Sequence, residues 1–292
     1  MPEPHRTPDP AWLDRGRYPF RSRYLDLALG RLHYVDEGQG RPVVFVHGNP
    51  TWSYLFRHVI IGLREQYRCI ALDHLGFGLS DRPATLRGSP AEHARNLAAL
   101  LEHLELEDLT LVLHDWGGPI GLRFCLNHPA RVSKLVISNS WMWPVWNDLH
   151  FEFIGHLLGG WLGRQATARL PWPMKLYLSR SLCRRIPSEE LSHYLEPLKK
   201  TLDRRAAAVL VEHFTASSDW LADLWTTRAS LRDKPALVLW GMRDRLFRKK
   251  ELRRWLGVFD DCRTIRYREA GNLVFEDLGA EVVPVMQDFL SR

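Results

Sequence analysis

An aspartate stands at the tip of the run Leu111-Val112-Leu113-His114-Asp115-Trp116-Gly117-Gly118-Pro119. The run reads as a buried strand that turns sharply into a helix. Such a strained elbow presents its tip residue, here Asp115, as a nucleophile. A serine at the tip would form an acyl-enzyme. A carboxylate instead forms an ester with an alkyl group. The chemistry expected is displacement at a saturated carbon, such as loss of halide or opening of an epoxide.

Two further post-strand sites carry chemistry. Asp244 follows Leu239-Trp240-Gly241-Met242-Arg243, and Asn272 lies in Glu269-Ala270-Gly271-Asn272-Leu273-Val274-Phe275-Glu276-Asp277. Nucleophile, then acid, then base position is the chain order of α/β-hydrolase triads. A third loop, His47-Gly48-Asn49-Pro50-Thr51-Trp52-Ser53-Tyr54-Leu55-Phe56-Arg57, follows an apolar strand. Its backbone N–H at Asn49, with that of Trp116, is placed to form an oxyanion hole. The Asn49 amide and the Trp116 indole each add a side-chain N–H that could meet a departing halide in a dry pocket. His47, His74 and His114 flank these loops and read as loop-stabilising residues rather than as a substitute base.

On these residues the chain resembles the haloalkane dehalogenases. The resemblance is carried by His47 to Arg57, Asp73 to Asp81, Val112 to Gly121 and Trp141-Met142-Trp143-Pro144, and runs from about residue 20 to the C-terminus. It implies Asp115 as nucleophile and Asn49 with Trp116 as the halide pair. It implies Asp244 as catalytic acid, because the alternative site after an earlier strand reads Ser138-Asn139-Ser140, with no carboxylate. The family's base is a histidine where this chain has Asn272. An amide does not take a proton from water at neutral pH, whereas base catalysis contributes about 10²–10⁴-fold. Displacement of halide needs no base, but hydrolysis of the alkyl-Asp115 ester does, so the ester is expected to accumulate. Two origins fit Asn272: a substitution made to trap the ester, or natural divergence. The intact remainder of the constellation favours the first.

Rival readings are an epoxide hydrolase, a cofactor-free luciferase related to the dehalogenases, and a non-catalytic binding protein on a hydrolase scaffold. The epoxide hydrolase would need a pair of tyrosines from the cap, where only Tyr177 and Tyr194 occur.

The elements that must position these residues follow from hydrophobic periodicity. Strands are expected over 24–28, 32–35, 42–46, 68–72, 109–113, 132–138, 236–240 and 264–268. Helices are expected over 53–63, 91–104, 120–126, 249–256 and 281–290. Alternating apolar strands and helices indicate a mostly parallel sheet covered on both faces. Between 141 and 230 no strand candidate occurs. The fold expected is an α/β-hydrolase fold: an eight-stranded, mostly parallel sheet with a helical cap. The core takes residues 1–140 and 229–292, and the cap 141–228. Trp141, Trp143, Phe151, Phe153, Trp172 and Leu176 are candidate pocket or cap-core residues, and the first 20 residues are expected to be irregular.

The 292 residues are 45% hydrophobic and 25% charged, ordinary for a globular protein. The net charge is +6. Basic runs such as Arg184-Arg185, Lys199-Lys200 and Arg248-Lys249-Lys250 read as solvated helix faces, since no nucleic-acid motif accompanies them. Cys69, Cys125, Cys183 and Cys262 form no C-x-x-C pair and are expected as buried free thiols. The N-terminus lacks an apolar signal core, and no run is long enough to span a bilayer. The expectations are a cytoplasmic enzyme with no cofactor and no metal. Its partners would be a small haloalkane and a halide ion, with no nucleic acid and no membrane. The Trp and Arg content leaves homo-oligomerisation open.

Overall fold

The computed structural model describes residues 9–292. Eight strands form one sheet: β1 (Arg23–Leu27), β2 (Gly30–Glu37), β3 (Pro42–Val46), β4 (Arg68–Leu72), β5 (Leu109–Asp115), β6 (Val132–Ser140), β7 (Ala236–Gly241) and β8 (Cys262–Tyr267). Their order is β1-β2-β4-β3-β5-β6-β7-β8. The β1–β2 and β2–β4 pairs are antiparallel and the rest are parallel. This is the α/β-hydrolase fold, the mostly parallel sheet following from the strand pattern and the fold itself from the motifs and the family resemblance.

Period-two alternation explains how the central strands build two cores. In β3, Val44 and Val46 join one buried cluster, while Val43 and Phe45 join the other. In β5, Leu111 and Leu113 face the first cluster and Val112 the second. β7 divides likewise, with Val238 and Trp240 against Leu237 and Leu239. Strands buried on both faces are near-continuous apolar runs, as is usual in parallel sheets. Truncating any such Leu to Ala costs about 2–5 kcal/mol.

Helices Pro90–His103 and Gly117–Asn127 follow β4 and β5. The first is capped by Ser89, whose side chain accepts the Glu92 N–H at 3.2 Å. Between β6 and β7 lie six α-helices and no strand: Leu149–Gly159, Trp161–Arg169, Trp172–Ser181, Ser188–Leu195, Thr201–Ala216 and Ser218–Thr226.

Several boundaries differ from expectation. β5 runs two residues further, to Asp115, and β6 extends to Ser140. The helix expected over 53–63 begins as a 3-10 turn, Ser53–Phe56. The closing helix starts at Val283 after another 3-10 turn, Gly279–Val282. Polar or strained residues at these ends obscure the apolar pattern that marks the element interiors. Residues 9–22 form no helix or strand, yet Tyr18 and Phe20 are buried, and the Tyr18 hydroxyl meets Ser53 Oγ at 2.5 Å. The first eight residues of the irregular stretch lie outside the described residues. All four cysteines are free, but only Cys69 and Cys125 are buried; Cys183 is exposed and Cys262 intermediate.

Candidate active site

Asp115 closes β5 with φ at +51°, in the left-handed region. For a non-glycine residue this costs on the order of 1–3 kcal/mol and persists only where neighbours over-determine it. They do so here. The Ser140 hydroxyl, at the end of β6, donates to the Asp115 carbonyl at 2.7 Å. The backbone N–H groups of Asn49 and Trp116 donate to Asp115 Oδ1 at 2.8 and 2.7 Å. Gly48 makes the approach possible, since a Cβ there would stand 2.2 Å from Asp115 Oδ1. The two N–H groups expected to form an oxyanion hole thus hold the aspartate's own Oδ1. Among the described residues nothing donates to Oδ2.

Burial pushes the Asp115 carboxyl up to about 7, against the two backbone N–H bonds, which favour the charged form; the Asp244 charge adds to the rise.

Asn49 and Trp116, expected as the halide pair, both flank this carboxylate. The Asn49 amide donates one N–H to the Ala207 carbonyl, on helix Thr201–Ala216, at 3.1 Å. One N–H remains for a ligand, while Asn49 Oδ1 is buried without a partner. Trp116 is buried, with Trp141 edge-on at a centroid distance of 4.6 Å and Phe214 at 6.2 Å. A second indole N–H, that of Trp141, is buried beside it with no acceptor.

Asp244 follows β7. Its Oδ2 accepts N–H bonds from Asn272 at 2.9 Å and Asn139 at 2.7 Å, and its Oδ1 accepts the Leu246 backbone N–H at 2.7 Å. Burial raises its carboxyl to about 6, with the Asn272 and Asn139 amides opposing. No carboxylate follows β6 in the sequence, and the residue that reaches Asp244 from there is the amide Asn139. It also spans to β7, accepting the Gly241 N–H at 2.8 Å and donating to the Gly241 carbonyl at 3.2 Å. An amide at the end of a strand neighbouring the acid's strand was the available signal.

Asn272 is therefore held by Asp244, and its Oδ1 is buried and unpartnered. Its backbone carbonyl accepts from His114 Nε2 at 3.0 Å. Burial lowers the His114 imidazole to about 4, so it stays neutral and supports the loop. His47 contacts its neighbour's carbonyl and accepts the His74 backbone N–H at 2.9 Å; burial lowers it to about 4 as well. Neither imidazole is poised to take a proton near neutral pH.

The two cap tyrosines have separate fates. Tyr194 donates to Glu276 at 2.5 Å within a buried cluster in which Arg57 meets Glu276 at 2.6 and 2.8 Å. The sequence reading missed this cluster, because its members lie far apart in the chain. Burial and the charges of Asp115 and Asp244 hold the Tyr177 hydroxyl well above the usual phenol range. A tyrosine pair of the epoxide-hydrolase kind is not assembled. Trp141, Trp143 and Phe151 are buried, whereas Phe153, Trp172 and Leu176 are exposed and lie outside the buried core. Among the described residues no cluster of three His, Cys, Asp or Glu side chains could hold a metal ion.

The family model for the α/β-hydrolase fold matches residues 41–277. Haloalkane dehalogenase 2 of Mycobacterium tuberculosis is 35% identical over 273 residues, 93% of each chain. A cis-3-alkyl-4-alkyloxetan-2-one decarboxylase of Xanthomonas campestris is 32% identical over 296 residues, covering 94% of this chain and 97% of that one. The solved haloalkane dehalogenase DatA of Agrobacterium tumefaciens superposes with a TM-score of 0.82 at 22% identity, over 93% of this chain and 96% of that one. The chain belongs to the α/β-hydrolase superfamily and, within it, to the haloalkane-dehalogenase-like family.

Proposed function

We propose that this protein cleaves carbon–halogen bonds of alkyl halides by direct displacement and that its covalent intermediate persists. Asp115 Oδ2 attacks the halogen-bearing carbon in line. The carbon–halogen bond breaks with its electron pair, and the halide departs toward the free Asn49 N–H and the Trp116 indole N–H. An alkyl ester on Asp115 results. Its hydrolysis would give alcohol and a proton, but requires a group that accepts a proton from water. Asn272 can orient that water and cannot take its proton. The observation that carries this reading is the holding of Asp115 Oδ1 by two backbone N–H groups. That arrangement spends one oxygen on orientation and reserves the other for attack.

The test is incubation with a 1-bromoalkane, followed by intact mass and bromide determination. One alkyl group on Asp115 and one bromide per chain are expected. No adduct and no bromide would overturn the reading.

The same Asn272 favours a second reading. The similar Xanthomonas protein is named for decarboxylation of a cis-dialkyl oxetanone. In such a ring Asp115 could attack the saturated carbon bonded to the ring oxygen, releasing a carboxylate. Loss of carbon dioxide then forms the alkene as the Asp115 ester bond breaks and its electrons return to Asp115. Neither water nor a base is consumed, so loss of the histidine need not stop turnover. Repeated formation of alkene from a cis-3,4-dialkyloxetan-2-one, without a lasting adduct, would select this reading.

A further inference from the structure

We propose that the outer face of the helices following β6 docks peripherally onto an anionic lipid bilayer. Helix Leu149–Gly159 has two opposed faces. Phe151 and Gly155 point inward, and a Cβ on Gly155 would stand 2.3 Å from Thr215 of helix Thr201–Ala216. Half a turn away, Leu149, Phe153 and Leu157 form an i, i+4, i+8 stripe that is 81%, 68% and 60% exposed. The next two helices repeat the arrangement. Trp161 and Leu162 are 66% and 75% exposed at the start of Trp161–Arg169, and Trp172 and Leu176 are exposed one turn apart on Trp172–Ser181. Large apolar side chains gathered on neighbouring helices mark an interaction surface rather than scattered surface residues.

Charge decides what covers it. From Leu149 to Ser188 the one carboxylate is Glu152, which accepts the Asn147 N–H, and the cations number six: Arg164, Arg169, Lys175, Arg180, Arg184 and Arg185. Arg169 stands two turns from Trp161, and Arg180 two turns from Trp172 on the stripe of Leu176. Arg169, Lys175, Arg180 and Arg185 are exposed and, among the described residues, meet no carboxylate at ion-pair distance. Exposed Trp, Phe and Leu beside uncompensated Arg and Lys fit a headgroup layer carrying negative charge. A second copy of this chain would instead set cations against cations within a screening length. The contact is with a surface only; no described helix is long and apolar enough to cross a membrane.

The full chain is mixed with vesicles of phosphatidylcholine, with and without phosphatidylserine, and co-sedimented at low and high salt. Binding to the anionic vesicles is expected to exceed binding to the neutral ones at least about tenfold and to weaken with salt. Phe153→Ser with Trp161→Ser, and separately Lys175→Glu with Arg180→Glu, should each lower it about tenfold while the melting midpoint is unchanged. Absence of binding, or equal binding to neutral vesicles, overturns the proposal. So does a dimer in sedimentation velocity that both pairs of substitutions dissociate.

Discussion

Asn272 donates its amide N–H to Asp244 Oδ2 over 2.9 Å. Asp244 thus holds a residue on which no positive charge develops, since an amide takes no proton near neutral pH. In a triad the carboxylate steadies the imidazolium that forms as the base takes its proton. Here Asp244 is left without a cation and is raised to about 6 by burial.

Replacing Asn272 by His should convert a single bromide burst into steady release. The ester-hydrolysis rate is expected to rise about 10²–10⁴-fold. Bromide release followed beyond one equivalent per chain checks this. An unchanged single burst would show that other parts of the hydrolytic step have also diverged.

The alkylation step should depend on pH through Asp115. Only the carboxylate attacks, and burial raises its pKa to about 7. The single-turnover rate should therefore climb about tenfold per unit below pH 7 and level off above it. Rapid-quench mass measurement of adduct formation between pH 5 and 9 gives the profile. A flat profile would mean that Asp115 is ionised throughout.

The same burial costs stability. The folded pKa of about 7 lies above the ordinary value of 3.8, so the folded chain binds more protons than the unfolded one between them. Asp115 thus makes the protein less stable as pH rises from about 4 to about 7, by at most about 4 kcal/mol. Asp115→Asn should raise the melting midpoint at pH 8, and the gain should vanish below pH 4. Calorimetry at both pH values tests the sign.

Arg57 and Glu276 form a buried pair with Tyr194 hydrogen-bonded to the carboxylate. Glu276→Gln leaves the Arg57 charge without its main partner inside the protein. A loss of about 3–5 kcal/mol is expected. Urea titration reads it as a lower midpoint at constant slope.

Much of this protein is determined by the sequence alone. Near-continuous apolar runs mark β3, β5 and β7, because strands buried on both faces tolerate little else. Asn49 and Asp244 follow β3 and β7, Asp115 ends β5, and Asn272 follows β8, so each lies at the carboxyl end of a strand. Local patterns suffice there, since strand, turn and Asp115 are contiguous in the chain. Only the tertiary structure decided which groups meet across it. Asn139 reaches Asp244, Asn49 is tied to Ala207, and Arg57 finds Glu276 across 219 positions. It also decided that Phe153, Trp172 and Leu176 face outward. Composition records how apolar a helix is. Which side it buries depends on the neighbour it packs against, and that neighbour lies elsewhere in the chain.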